Sequence, residues 1–220
     1  GISHAYCAAR AHELLDRSGV DLRVVICHLG QGASASAVRG HTALTSTMGM
    51  TPLEGLPMGT RSGAIDPGVL LHLMRESGMT VDQLDHALHH ESGLLALSGI
   101  SSDFRAIEQA AEAGDSRSRL AIDVFANRII AAVGSLTAVL GGLDVLVFTG
   151  GIGENSPQLR RQVVDQLRFF GIALDEQHNE KCERDVDVAA ADSSVRVLVI
   201  HTREDLMIAR QCRELIKSSG

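Results

Sequence analysis

The chain has 220 residues, 45% of them hydrophobic, and a formal charge of −7, which is enough apolar material for one large domain or two small ones with a proper core. The acidic balance, an aromatic content of 3% and the lack of Trp argue against a nucleic-acid binder, which needs a basic face or a base-stacking platform. No continuous apolar run approaches the ~18 residues of a membrane span.

Cys7, Cys27, Cys182 and Cys212 lie far apart, with neither C-x-x-C spacing nor a His at zinc-ligand distance. They read as reduced thiols of a cytoplasmic protein. Gly1-Ile2-Ser3-His4 reads as the interior of a longer sequence, so an N-terminal extension is expected.

Along the chain, an Ala- and Leu-rich stretch predicts a helix from about Ser3 to Asp16, stopped by Ser18-Gly19. Three short strands follow, at Arg23 to His28, Ser34 to Val38 and Thr42 to Thr47, joined by glycine turns. Met48 to Pro67 shows no period and is rich in Gly and Pro; loops of this kind inside a compact domain are more often functional than idle. Asp66-Pro67 supplies an N-cap and an N1 proline for a helix to Glu76, and Thr80 with Gln83 forms a capping-box pattern for one ending at His90.

After the polar segment Ser98 to Asp103 come a helix from Phe104 to Ala113 and a long one from Ser116 to Leu140. In the long helix Leu120, Val124, Ile129, Val133, Leu136 and Leu140 suggest one buried stripe, and Gly141-Gly142 is its stop. Leu143 to Phe148 and Val195 to Ile200 read as buried strands of a sheet covered on both faces. Each is followed by a helix, Gln158 to Phe170 behind Ser156-Pro157, and Glu204 to Lys217.

Four polar clusters stand where strands end or loops turn: His28 to Gly32, Gly59 to Gly63, Gly99 to Arg105 and Gly150 to Asn155. In an α/β sheet, ligands collect at the carboxyl ends of strands, and glycines let backbone N–H groups approach a phosphate. Taken singly, each cluster has an ordinary explanation. His28-Leu29-Gly30-Gln31-Gly32 could be a plain β-turn, His28 a structural histidine, and Glu204 a helix cap. Arg61, flanked by Gly59-Thr60 and Ser62-Gly63, is either a surface arginine or a planar fork for a transferring phosphoryl group. His86, His89 and His90, lacking an evident carboxylate partner, read as a solvated helix face.

Five stretches in order resemble the acetate kinase family, within the actin/hexokinase/sugar-kinase superfamily. They are His28 to Ser34, Thr45 to Pro67, Leu97 to Arg105, Phe148 to Ser156 and Val197 to Arg210. The resemblance implies an α/β domain of the ribonuclease H-like (actin-like ATPase) kind, a mixed central sheet with helices on both faces. It implies reversible phosphoryl transfer from ATP to acetate with Mg²⁺ or Mn²⁺, in a cytoplasmic homodimer. Residues 1–220 would be the C-terminal nucleotide-binding lobe of a two-domain kinase, closed by a helix over 204–220.

By the same resemblance, His28, Leu29, Gly30, Gln31, Gly32 and Gly59 would meet the nucleotide phosphates. Asp103, Phe104 and Arg105 would border the adenosine, and Gly151, Ile152, Gly153, Glu154 and Asn155 the α-phosphate and ribose. Arg61 and His28 would be catalytic, and Glu204 would be the metal-associated carboxylate. Three departures stand out: Gln31 where the family has Asn, Ala64 where it has Asp, and a leading catalytic histidine that would precede Gly1. A propionate or butyrate kinase, and a noncatalytic nucleotide-binding or dimerisation module, are the alternative readings. The isolated chain is expected to bind ADP or ATP weakly and to lack acetate kinase activity.

Overall fold

The computed structural model describes residues 1–17 and 20–218, so the expected helix stop at Ser18-Gly19 lies outside the described residues. The elements are α1 (Ile2–Leu14), β1 (Arg23–Leu29), β2 (Ala33–Arg39), β3 (Thr42–Ser46), α2 (Pro67–Glu76), α3 (Val81–His90), α4 (Gly93–Ser98), α5 (Phe104–Glu112) and α6 (Ser116–Leu140). They continue with β4 (Val145–Thr149), α7 (Gly150–Asn155), α8 (Pro157–Gln166), α9 (Glu176–Glu180), β5 (Val186–Asp187), β6 (Arg196–Val199) and α10 (Glu204–Ser218). A 3₁₀ turn over Arg168–Phe170 follows α8, so that helix stops four residues earlier than expected.

Among the described residues the strands form one sheet in the order β3-β2-β1-β4-β6-β5. β4 is parallel to both β1 and β6, with Ile26 opposite Val147 and Val147 opposite Leu198, while β5 runs antiparallel to β6. The sheet is therefore mixed, as expected. Side chains alternate between faces of a strand. Both faces of the central strands are nevertheless closed: Val24, Ile26, Val145 and Val147 on one side, and Val25, Cys27, Leu146 and Phe148 on the other, are each at most 1% exposed. The first set packs with Tyr6, Cys7, Ala8 and Ala11 of α1, and with Leu206 and Met207 of α10.

The chain forms two compact units, one of residues 1–29, 36–45 and 133–220, the other of residues 30–35 and 46–132. In the first unit, Arg23 pairs with Asp144 at 2.6 Å and its backbone N–H also donates to that carboxylate, fastening the start of β1 to the approach to β4. In the second, α2 and α3 begin as the sequence dictates. Asp66 accepts the Gly68 N–H ahead of Pro67, and Thr80 and Gln83 exchange both bonds of a capping box.

The long helix α6 has the expected bounds, but its buried stripe is shifted. Ala121, Phe125, Ala126, Ile129, Val133, Leu136 and Leu140 are buried, whereas Leu120 is 56% exposed. Aromatic and small residues fill the face that a count of branched aliphatics assigned to Leu120 and Val124. At 25 residues α6 is long and apolar enough to cross a membrane, yet that stripe serves as core. α4, α7, α9 and β5 were not expected, being two to six residues long and too short to show a period.

Candidate functional site

In the first unit, β1 and β4 end side by side, with His28 opposite Thr149. Gly150 opens α7 at φ +80°, and a Cβ there would lie 2.7 Å from the Leu29 carbonyl oxygen. Only glycine lets these two strand ends meet so closely. Leu29 itself is buried, so its backbone is what it offers a ligand, while Gly151 and Asn155 are exposed.

His28 is half-buried, its Nδ1 2.8 Å from the Ser3 hydroxyl, which in turn accepts from Thr202 Oγ1 at 3.0 Å. Burial lowers the His28 pKa; the Glu204 and Glu154 carboxylates pull it back up without prevailing, so the ring is neutral at neutral pH. Glu204, exposed at the start of α10, is thus electrostatically coupled to His28.

Glu154 points inward. One carboxylate oxygen accepts the Gly150 N–H at 3.0 Å and the other faces His201 Nδ1 at 2.7 Å. The α7 segment is further held by Arg160, buried to 1% exposure, whose guanidinium donates to the Gly153 and Glu154 carbonyls at 2.8 and 3.0 Å. The same fork grips Asn179 at both its backbone and side-chain oxygens. Sequence reasoning passed over Arg160 and His201. The signal for Arg160 was a charge on the face that Leu159, Val163 and Val164 mark as apolar.

In the second unit, Gly30, Gln31, Gly32, Gly59, Arg61 and the 99–105 segment come together through backbone. The Gly30 N–H donates to the Gly32 carbonyl and the Gly59 N–H to the Gln31 carbonyl, at 3.1 Å each. A Cβ on Gly59 would meet Gln31 Oε1 at 2.2 Å and the Ser102 carbonyl oxygen at 3.3 Å. Gln31, Gly59 and Ser102 therefore touch.

The arginine loop is fixed by α4. Its Met58, Gly59 and Thr60 carbonyls accept from Leu94, Leu95 and Ser92 N–H at 2.8, 2.9 and 2.9 Å. A helix start has orphan N–H groups, and here the loop satisfies them. Arg61 is half-buried and donates to Met58 Sδ at 3.7 Å; among the described residues it has no carboxylate partner. Ala64, exposed beside it in sequence, supplies none.

Asp103 caps α5 through the Arg105 N–H and pairs with the Arg105 side chain at 3.0 Å, both groups solvated. Phe104 is 3% exposed and packs on Phe125 with ring centroids 5.6 Å apart, so its ring belongs to the core and is not presented for stacking. His86 and His89 do face carboxylates, Glu91 at 3.5 Å and Asp85 at 3.2 Å, contrary to expectation, although the cluster is largely solvated. Among the described residues no group of three or more His, Cys, Asp or Glu is arranged to hold a metal by itself.

The acetokinase family model matches residues 1–210. The acetate kinase of Gloeobacter violaceus is 53% identical over 212 residues, covering 96% of this chain and 52% of that protein. The acetate kinase of Acaryochloris marina is 54% identical over 97% of this chain and 53% of its own length. The crystal structure of Porphyromonas gingivalis acetate kinase superposes with a TM-score of 0.94 at 41% identity, over 98% of this chain and 54% of that one. A propionate kinase from Francisella tularensis gives 0.88 at 38% identity, over 95% of this chain and 53% of that one. The α/β fold is thus of the actin-like ATPase kind. The chain spans about half the length of the curated relatives it matches. By family model, sequence and structure alike, the chain belongs to the acetokinase family.

Proposed function

We propose that this chain is the nucleotide-binding lobe of an acetate kinase, which moves the γ-phosphoryl of ATP reversibly to acetate in the cytoplasm. The observation that carries the reading is Arg61: a half-buried guanidinium on a loop fixed by α4, with no carboxylate partner among the described residues. Phosphoryl transfer demands little beyond position and neutralised charge, and an unneutralised cation on rigid backbone supplies both.

Within this reading Arg61 stabilises the transferring group and His28 donates to a phosphate oxygen. Leu29, Gly30, Gln31, Gly32 and Gly59 offer amides and carboxamide to the phosphates, while Asp103, Phe104 and Arg105 shape the adenosine side. Gly151, Ile152, Gly153, Glu154 and Asn155 border the α-phosphate and ribose. Mg²⁺ (or Mn²⁺) suits this donor set, because such ions take one or two carboxylates and fill the rest with water and phosphate oxygens. Glu204 would hold it, and the ion would neutralise charge on the phosphates.

The Francisella propionate kinase keeps a longer acyl acceptor as the second reading. The test is a coupled assay with acetate, propionate and butyrate on the protein joined to its acyl-binding lobe, wild type beside Arg61→Ala. Loss of roughly 10³-fold in kcat is expected, and an unchanged rate removes Arg61 from the reaction.

A second copy of the chain is the proposed partner. α2 has no buried residue, and Ile65, Val69, Leu71 and Met74 are each at least 40% exposed along or beside it. Apolar surface of this kind marks an interface. Sedimentation of Leu71→Glu should show a monomer where the wild type is a dimer.

A further inference from the structure

His28 ends β1 with one ring nitrogen tied inward: Nδ1 lies 2.8 Å from Ser3 Oγ, and no partner faces Nε2 among the described residues. Ser3 is 5% exposed in the first turn of α1. Its hydroxyl oxygen also receives Thr202 Oγ1 at 3.0 Å, from the short segment between β6 and Glu204. These three side chains come from three elements and form one line.

A hydroxyl has a single proton to give and two lone pairs to receive with. Once Thr202 donates into Ser3, the proton of Ser3 has two acceptors beside it, Nδ1 of His28 and the Cys7 sulfur, and the imidazole nitrogen is much the stronger of the two. A neutral imidazole that accepts at Nδ1 must carry its proton at Nε2. The Cys7 thiol beside Ser3 and Thr202, pushed up to about 12 by burial, keeps its own proton, so no anion competes for the hydroxyls.

We propose that Ser3 and Thr202 are positioning residues that fix His28 as its Nε2–H tautomer, making it a neutral hydrogen-bond donor aimed at an anionic oxygen. This deepens the acetate kinase reading and rests on it for the identity of that oxygen, a phosphoryl oxygen of the nucleotide or of the transferring group. The opposite tautomer would present a lone pair to a phosphate and repel it. Sequence reading quoted Thr202 inside a matched stretch and Ser3 in the opening tetrapeptide but gave neither a task, because a serine in a first helical turn and a threonine after a strand look like ordinary caps.

The test reads the ring directly. Nitrogen-15 spectra of the histidine-labelled, unliganded protein, with His28 assigned by its loss in His28→Gln, should show Nδ1 without a proton and Nε2 with one. Thr202→Val keeps the shape of Thr202 and the Ser3–His28 contact but frees Ser3 to accept, so both tautomers should appear. Ser3→Ala should give the same mixture, and Ser3→Thr should restore the single tautomer. In the active protein Thr202→Val should lower kcat roughly threefold to tenfold with little change in the KM for ATP. A proton on Nδ1 in the wild type, or one unchanged tautomer in Thr202→Val and Ser3→Ala, overturns the proposal. The spectra need no turnover, so a correct tautomer in a protein that fails to phosphorylate any carboxylate would sink the acetate kinase reading and leave the relay standing.

Discussion

Gly150 and Leu29 fix how closely the ends of β1 and β4 approach one another. The φ of Gly150 is +80°, and a Cβ there would lie 2.7 Å from the Leu29 carbonyl oxygen and 3.0 Å from its carbon. The obstructing atoms are backbone at the end of a buried central strand, so they cannot yield. Gly150→Ala should therefore lose on the order of 3 kcal/mol, combining left-handed strain with displacement of the strand end. Gly151, one residue on, has nothing within 4 Å of its would-be Cβ and no positive φ. Gly151→Ala should keep the urea midpoint of the wild type and weaken ATP in calorimetry. Equal stability losses in the two variants would contradict the geometry.

Arg160 should be as important to stability as any hydrophobic residue of its helix. Its guanidinium is buried and has four oxygen contacts, two of them the Gly153 and Glu154 carbonyls; among the described residues no carboxylate lies at ion-pair distance, and Glu180 acts on it only from further off. Arg160→Met would leave those acceptors buried and unbonded, at a cost of about 3 kcal/mol. Arg160→Lys should recover little, because an ammonium cannot span the same fork of acceptors. Urea unfolding measures both; a loss below about 1 kcal/mol in Arg160→Met would make the network dispensable.

What could be read in advance follows from the range of each signal. The capping box at Thr80, the Asp66-Pro67 start and the full length of α6 are local chemistry, and they stand as written in the sequence. Pairing is not local. Nothing near Arg160 announces Asn179, nothing near Gln31 announces Gly59, and nothing near Ser3 announces Thr202, since each partner arrives from another element. Glu154 shows the same limit from the other side. Its place in a glycine-rich motif says nothing of the two partners its carboxylate holds, the Gly150 N–H and His201. Phe104 likewise lies in a motif but supplies core.

Acid should unfold the chain earlier than its carboxylates alone would require. His4 is buried against the Ser36 hydroxyl at 2.6 Å, and burial above all lowers its pKa from 6.5 to about 4, with His28 adding to the shift. A base with a depressed folded pKa is neutral in the native state and protonated in the unfolded one. Between those two values the unfolded chain binds more protons, so stability rises with pH. The contribution is complete above about pH 6.5 and is lost as the pH falls toward about 4, roughly 3 kcal/mol over the window. His28 acts in the same direction, being lowered as well. Chemical denaturation at stepped pH should show this slope in the wild type and a flatter one in His4→Asn. Parallel curves would mean that His4 does not titrate on unfolding.

Gln31 and Gly59 offer a test of the departure from Asn that the family resemblance implies for this chain's first loop. The missing Cβ of Gly59 leaves space that the Gln31 carboxamide occupies, 2.2 Å from where the methyl would be, with the Ser102 carbonyl oxygen 3.3 Å away on another side. The nearer atom is the tip of a flexible side chain on an exposed residue, so Gly59→Ala should be tolerated by the fold and change stability by under about 1 kcal/mol. It should instead drive the carboxamide off its position and weaken nucleotide binding. Gln31→Asn withdraws the obstructing atoms by one methylene, so the same Gly59→Ala change should then cost less. Calorimetric ATP affinities of the wild type, the two single variants and the double variant close a cycle, and a coupling of roughly 0.5 to 2 kcal/mol is expected. Additive losses would show that the two residues act on the nucleotide separately, and the longer side chain would then have no bearing on the arginine loop.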